Sequence, residues 1–226
     1  MVFKLSLKNY RIEFLEKKIK IITDTLNFIY PNPISSLYFT NEFTLLIAIL
    51  LTSRSQEKKV NQITKLLFKK IQKPQDIIQL SVINIQNYIK HIGLYNKKSI
   101  NIYDLSITLI KKYDGIIPKN IFELESLPGI GHKTASVFLS HVSKEPVFPI
   151  DTHIHRMMFR WELSNGINIR QTEKDAKRFF LKKNWKKLHL QIISYGKEYS
   201  PSRGWNPKND IIYQKLVKNN LLKLKR

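Results

Sequence analysis

Apolar residues recur at three- and four-residue steps along residues 9–29, through Ile12, Leu15, Ile19, Ile22, Leu26 and Ile29. That period predicts an amphipathic helix. Pro31 and Pro33 end it, because a proline pushes the residue before it out of helical geometry. The next stretch, 42–51, is apolar on nearly every face, the pattern of a helix buried at the centre of a helical domain. A loop over 52–55 follows. Residues 56–71 turn amphipathic again, with Val60, Ile63, Leu67 and Ile71 on one face and lysines on the other. Short helices are predicted near 74–80 and 83–90, and a longer one over 97–113 that Gly115 stops. Asn120 can cap a short helix through 121–126. Residues 132–142 read as its partner, with Ala135, Val137, Phe138 and Val142 as apolar positions. After Asp151 the pattern gives helices to about Arg160, over 172–183, over 186–199, and from Ile211 to Arg226. No stretch sustains the alternation of a strand, so the predicted fold class is all-α.

The chain has 226 residues, 42% of them hydrophobic, which is enough for a real core. Its net charge of +22 points to a polyanionic partner. The lysines, however, are interspersed with Asn and Ile, a pattern that AT-rich coding also produces, so charge alone does not decide. There is no cysteine. Disulfides, thiolate zinc sites, cysteine nucleophiles and a cysteine-ligated iron–sulfur cluster are therefore excluded. The first ten residues are basic and mixed, without the apolar core of a signal peptide. The longest apolar run, 45–51, is far too short to span a bilayer. A soluble, cytoplasmic protein is expected, working without a membrane.

Chemistry concentrates in 127–156. Pro128, Gly129 and Gly131 make a tight turn between two predicted helices, and Lys133 follows directly. Such a turn exposes main-chain N–H groups at a helix N-terminus, a ready anion site. In a chain this basic the natural anion is a nucleic-acid phosphate. Lys133 and Asp151 stand 18 positions apart. Asp151 falls at a predicted helix N-cap, where N–H groups favour its charged form. Each residue also has a plain structural reading, Lys133 as a phosphate contact and Asp151 as a simple cap. His132, His153 and His155 do not form a metal site by spacing, since His153 and His155 are two apart and no acidic cluster joins them.

The motif Leu127-Pro128-Gly129-Ile130-Gly131-His132-Lys133-Thr134-Ala135, followed by Ile150-Asp151-Thr152-His153-Ile154-His155-Arg156, resembles the endonuclease III family of helix-hairpin-helix DNA glycosylases. The resemblance runs from about Phe43 to Glu198. It implies two helical domains with the active site in the cleft between them. One would be a barrel-like domain over 35–145 with the helix-hairpin-helix at about 120–142. The other would combine 1–34 with 146–226. It further implies a bifunctional glycosylase and abasic-site lyase for oxidised pyrimidines, acting as a monomer on double-stranded DNA. Lys133 would be the nucleophile, forming a Schiff base with the sugar, and Asp151 the essential acid. The first turn of its helix and burial between the domains would both favour a neutral Lys133, and a nearby carboxylate would oppose them.

The resemblance also assigns DNA contacts to Arg54, Gly93, Leu94, Tyr95, Asn96, Gly129, Ile130, Gly131, His132, Thr134, His153 and Arg156. An enzyme acting on a base must extrude it, and the loops 53–55 and 93–96 would fill the gap. Arg54 stands where the family often carries glutamine. Leu94 and Tyr95 also have a reading as ordinary core. A monovalent cation on the main-chain carbonyls of Glu125, Leu127 and Ile130 is expected from the same source. Family members often hold an iron–sulfur cluster on four C-terminal cysteines. Here the matching segment begins at Ser200, and Trp205 is expected to pack in the cluster's place, with Arg203 and Lys208 reaching phosphates. Two other readings stay open: a monofunctional mismatch glycosylase of the same fold, against which Lys133 argues, and a non-catalytic DNA-binding module, against which the Lys133–Asp151 pairing argues.

Overall fold

The computed structural model describes the backbone of residues 2–222 and the side chains of 12–222. Among these residues there are twelve α-helices, two short 3-10 turns and no strand. No helix is long and apolar enough to cross a membrane. The chain divides into two compact units. One is Ser35–Val147; the other joins the chain up to Ile34 with the chain from Phe148 on.

The first unit is built around α2 (Glu42–Thr52), whose residues Phe43 to Leu51 are all buried. A reciprocal cap starts it: Asn41 Oδ1 accepts from Thr44 N at 2.9 Å, and Thr44 Oγ1 accepts from Asn41 N at 2.9 Å. α3 (Glu57–Leu67), α6 (Tyr95–Tyr113) and α8 (His132–Val142) pack on α2, while α4 (Pro74–Leu80) and α5 (Val82–Ile89) pack on α6. α7 (Ile121–Glu125) pairs with α8. Asn120 caps α7, its Oδ1 accepting from Phe122 N at 2.8 Å. α6 ends where Asp114 and Gly115 turn left-handed, at φ 51° and 79°.

The second unit holds α1 (Val2–Ile29), α9 (Thr152–Arg160), α10 (Ile169–Phe179), α11 (Trp185–Glu198) and α12 (Ile211–Lys218). α11 is the hub, packing against α1 and α9. Trp161 and Tyr195 are fully buried between these helices, and Phe148 packs against Phe180 and Trp185 with ring centroids 6.0 Å away in each case. Lys18, 2% exposed, donates to the Trp161 carbonyl at 3.1 Å. Burial pulls its ammonium below the ordinary value, and Glu162 opposes that.

Several expected boundaries move, among them the end of α3, which comes at Leu67 rather than at Ile71. α1 begins at Val2 rather than near residue 9. α10 starts at Ile169, three residues early, because Asn168 Oδ1 caps it through Gln171 N at 2.8 Å. It stops at Phe179, since Phe180 turns extended to bury its ring. The last helix stops at Lys218 instead of continuing to Arg226. Asn220 takes a left-handed φ of 57°, and Leu221 N returns to Leu216 O at 2.8 Å, a helix-ending geometry that asparagine tolerates. Residues 223–226 lie outside the described residues.

The segment after α11 is held by polar groups. Arg160 donates to the Ser200 carbonyl and hydroxyl, both at 2.8 Å, and to the Pro201 carbonyl at 3.0 Å. Its guanidinium also lies 4.1 Å from the centre of the Trp205 ring, a cation–π contact. Trp205 Nε1 donates to Asp210 Oδ2 at 3.0 Å, and the ring meets Tyr213 edge-on. Asp210 is 1% exposed; its Oδ1 accepts from Tyr195 Oη at 2.5 Å and from Tyr213 N at 3.0 Å. Trp205 thus packs on the core of its unit, through a carboxylate and a guanidinium as well as through apolar contacts. Arg203 and Lys208 are exposed.

Candidate active site

The hairpin between α7 and α8 is fixed by two apolar pegs and one glycine. Leu127 and Ile130 are buried, and Ile130 N donates to Leu127 O at 3.1 Å, closing the turn. Between them Gly129 sits at φ 78°. A side chain there would be strained and would also strike Asn101 of α6, 2.7 Å from an added Cβ. Gly131 is the N-cap of α8, and no side chain caps the helix. The N–H groups of its first turn are therefore available to an anion. Glu125 Oε1 lies 2.6 Å from His132 Nδ1, linking the two helices across the turn. Lys133 is the second residue of α8 and is exposed; Thr134 is half-buried and Ala135 buried.

Asp151 is the N-cap of α9 and only 6% exposed. Its Oδ1 accepts from His153 N and Ile154 N, both at 2.9 Å. Oδ2 takes no part in the cap. The same helix carries two further expected DNA contacts, and the structure gives them internal work. Arg156 donates to the Ser200 carbonyl at 3.1 Å, the Gly196 carbonyl at 2.9 Å and His153 Nδ1 at 3.0 Å. Since a guanidinium only donates, the His153 Nδ1 is the acceptor of that bond. Burial lowers the Arg156 guanidinium below its ordinary value, and the Asp151 carboxylate opposes that. Arg156 thus staples α9 to the end of α11. Gly196 allows this, because an added Cβ would stand 3.3 Å from Arg156 Nη2.

The two loops expected to fill a gap in the duplex lie together in the first unit. Arg54 and Leu94 are exposed, and both are left-handed without being glycine, at φ 51° and 61°. A Cβ on Gly93 would come within 2.8 Å of the Arg54 carbonyl, so only glycine lets the loops touch. Tyr95 is half-buried and Asn96 exposed. Beneath them lies a residue the sequence reading passed over. Lys98 is 4% exposed, and its Nζ donates to Leu51 O at 2.9 Å, Ser53 O at 2.6 Å and Ser55 Oγ at 3.0 Å. Burial pushes its ammonium down to about 8. A signal was present: Lys98 falls on the buried stripe of α6 with Ile102, Leu105 and Leu109. Among the described residues no group of acidic, histidine or cysteine side chains could hold a metal ion.

Residues 47–184, more than half of the chain, match the model of the HhH-GPD superfamily of base excision DNA repair proteins. The fold and the hairpin thus define a base excision repair protein. The chain is 41% identical over 143 residues to an endonuclease III of Buchnera aphidicola from Acyrthosiphon pisum, covering 63% of this chain and 68% of that one. It is 33% identical over 186 residues to endonuclease III of Bacillus subtilis, covering 80% and 83%. The structure of a trapped endonuclease III–DNA covalent intermediate superimposes with a TM-score of 0.81 at 31% identity, over 85% of this chain and 91% of that one. The chain belongs to the endonuclease III family: it is an enzyme of base excision repair, a DNA glycosylase with abasic-site lyase activity.

Proposed function

We propose that this glycosylase/lyase removes oxidised pyrimidines from double-stranded DNA, with Lys133 as nucleophile and Asp151 as the essential acid. The observation that carries the reading is the placement of Lys133: exposed, in the first turn of α8, directly behind the uncapped Gly131 turn. A phosphate held by those N–H groups sets a nucleotide beside the amine. The free amine of Lys133 attacks C1′, the glycosidic bond breaks, and the base leaves with the bonding electrons. Loss of a nitrogen proton opens the sugar to a Schiff base. Removal of a C2′ proton then expels the 3′-phosphate by β-elimination. The Asp151 carboxylate, held by two main-chain N–H groups, stabilises positive charge on the sugar as the base departs.

In this reading Gly129, Ile130, Gly131, His132 and Thr134 contact the backbone of the damaged strand. Arg54 and Leu94, flanked by Gly93, Tyr95 and Asn96, occupy the space the extruded base leaves. A monovalent cation at the hairpin would rest on the carbonyls of Glu125, Leu127 and Ile130. The Leu127 oxygen already accepts one bond and keeps a second lone pair for it. The enzyme works as a monomer in the cytoplasm, on the nucleoid.

Borohydride trapping tests the assignment. The protein is mixed with a duplex carrying one thymine glycol, borohydride is added, and a covalent complex is sought beside Lys133→Gln. A trapped band that the variant lacks is the expected result. Trapping on an abasic duplex but not on thymine glycol removes the substrate class. A band that persists in Lys133→Gln removes the nucleophile.

A further inference from the structure

Arg54 and Leu94 share a feature that touching DNA does not require: both tips are left-handed, and both are tied to Lys98, the Arg54 loop through its buried ammonium and Leu94 through its main chain. Lys98 Nζ donates to the last carbonyls of α2 and its following turn, Leu51 O and Ser53 O, and to Ser55 Oγ. These are the residues on either side of Arg54. The main-chain N–H of Lys98 donates to Leu94 O at 2.9 Å, closing the first turn of α6 behind the Leu94 tip. The loops meet where Gly93 faces the Arg54 carbonyl. Left-handed backbone in a non-glycine residue persists only where surrounding structure enforces it, and such residues gather at functional sites. All three ammonium protons have an acceptor here, so the clamp is fully satisfied.

We propose that Lys98 is a positioning residue, presetting the Arg54 and Leu94 tips for insertion into the duplex; this rests on the reading of those tips as the pair that fills the gap. Without the clamp the Arg54 tip relaxes toward ordinary backbone, the Leu94 loop loses the carbonyl against which Gly93 packs, and the strain must be supplied again when the base is extruded. Strain of that size corresponds to about a tenfold slower step. Phosphate contacts are untouched, so the loss falls on kcat and not on KM.

The test is a mutant cycle on thymine glycol excision. Lys98→Met is made in the natural chain and in an Arg54→Ala/Leu94→Ala background, with folding checked by circular dichroism. The proposal expects a loss of about tenfold in kcat in the natural chain, KM unchanged within about twofold, and less than about twofold further loss in the tip-deleted background. An equal loss in both backgrounds makes Lys98 a plain folding contact and overturns the proposal, as does a Lys98→Met enzyme with natural kcat. A tip-deleted enzyme that itself excises at the natural rate removes the reading of the tips, and the clamp then has nothing to act through. Should Lys98→Met not fold, Ser55→Ala takes its place in the same cycle, deleting one acceptor with an expected loss of about threefold.

Discussion

Replacing Asp210 by alanine removes the carboxylate on which the C-terminal segment is hung. Three donors lose their acceptor: the Tyr195 hydroxyl, Tyr213 N and Trp205 Nε1. They do not cost the same. Tyr195 is fully buried, and its oxygen still accepts from Ile212 N at 2.7 Å, so its proton is stranded without water; that costs about 1.5 kcal/mol. Tyr213 N loses the cap of α12, another 1.5 kcal/mol or so. Trp205 is half-buried and regains water at its edge, so about 1 kcal/mol is lost there. The expected total is about 4 kcal/mol. Asp210→Asn keeps an acceptor for the first two donors but presents an amide to Trp205 Nε1, and about 2 kcal/mol is lost. The assay is urea unfolding followed by tryptophan fluorescence. Trp161, Trp185 and Trp205 are the chain's three tryptophans and all lie in the second unit, so the signal reports that unit alone. With a urea dependence of about 2 kcal/mol per molar, the midpoint falls by about 2 M for alanine and about 1 M for asparagine. A fall below about 0.5 M for alanine, or an equal fall for both variants, refutes the reasoning.

Other measurements bear on the hairpin, the staple and the clamp. Gly129→Ala combines a φ of 78° with a clash against Asn101 and should destabilise the first unit by about 2 kcal/mol in thermal melts. Gly131→Ala meets nothing within 4 Å, and its melt should move by less than about 0.5 kcal/mol; equal effects at both sites would contradict the turn geometry. Arg156→Ala strips three internal hydrogen bonds and should cost about 2–3 kcal/mol while leaving the salt slope of DNA binding unchanged. A slope reduced by about 0.9 would make it a phosphate contact after all. The Lys98 ammonium is pushed from 10.5 down to about 8 in the folded chain. The unfolded chain therefore holds more protons between those values, and the cost of burial, full below pH 8, fades as pH rises. Between pH 7 and 9.5 the natural protein should gain about 2 kcal/mol on Lys98→Met, measured by circular dichroism; a gain by the variant instead would reverse the sign of the argument.

The endonuclease III motif, the all-helical class and most helix boundaries are legible in the residues alone. Each of these features is local. Asn41, Asn120 and Asp151 cap their helices through groups two or three residues away, and Leu127 and Ile130 peg a five-residue turn. Two of the boundaries that differ carry a local signal: Asn168 caps α10, and Asn219-Asn220 stop α12.

The features that the sequence does not reveal belong to long polar side chains whose partners lie far along the chain. Arg156 reads as a DNA contact by its place in a motif, yet its guanidinium is spent 40 and 44 residues away, on Gly196 and Ser200. Lys98 reads as one basic residue among many, yet it reaches 45 and 47 residues back to Ser53 and Leu51. A side-chain period reveals which face of a helix is buried, but it carries no record of which carbonyls end up beneath that face. A buried ammonium or guanidinium is tolerable only where several acceptors converge on it. That convergence comes into being when the helices pack, so only the tertiary structure could decide which of the chain's 39 lysines and arginines are clamps and which remain free to meet DNA.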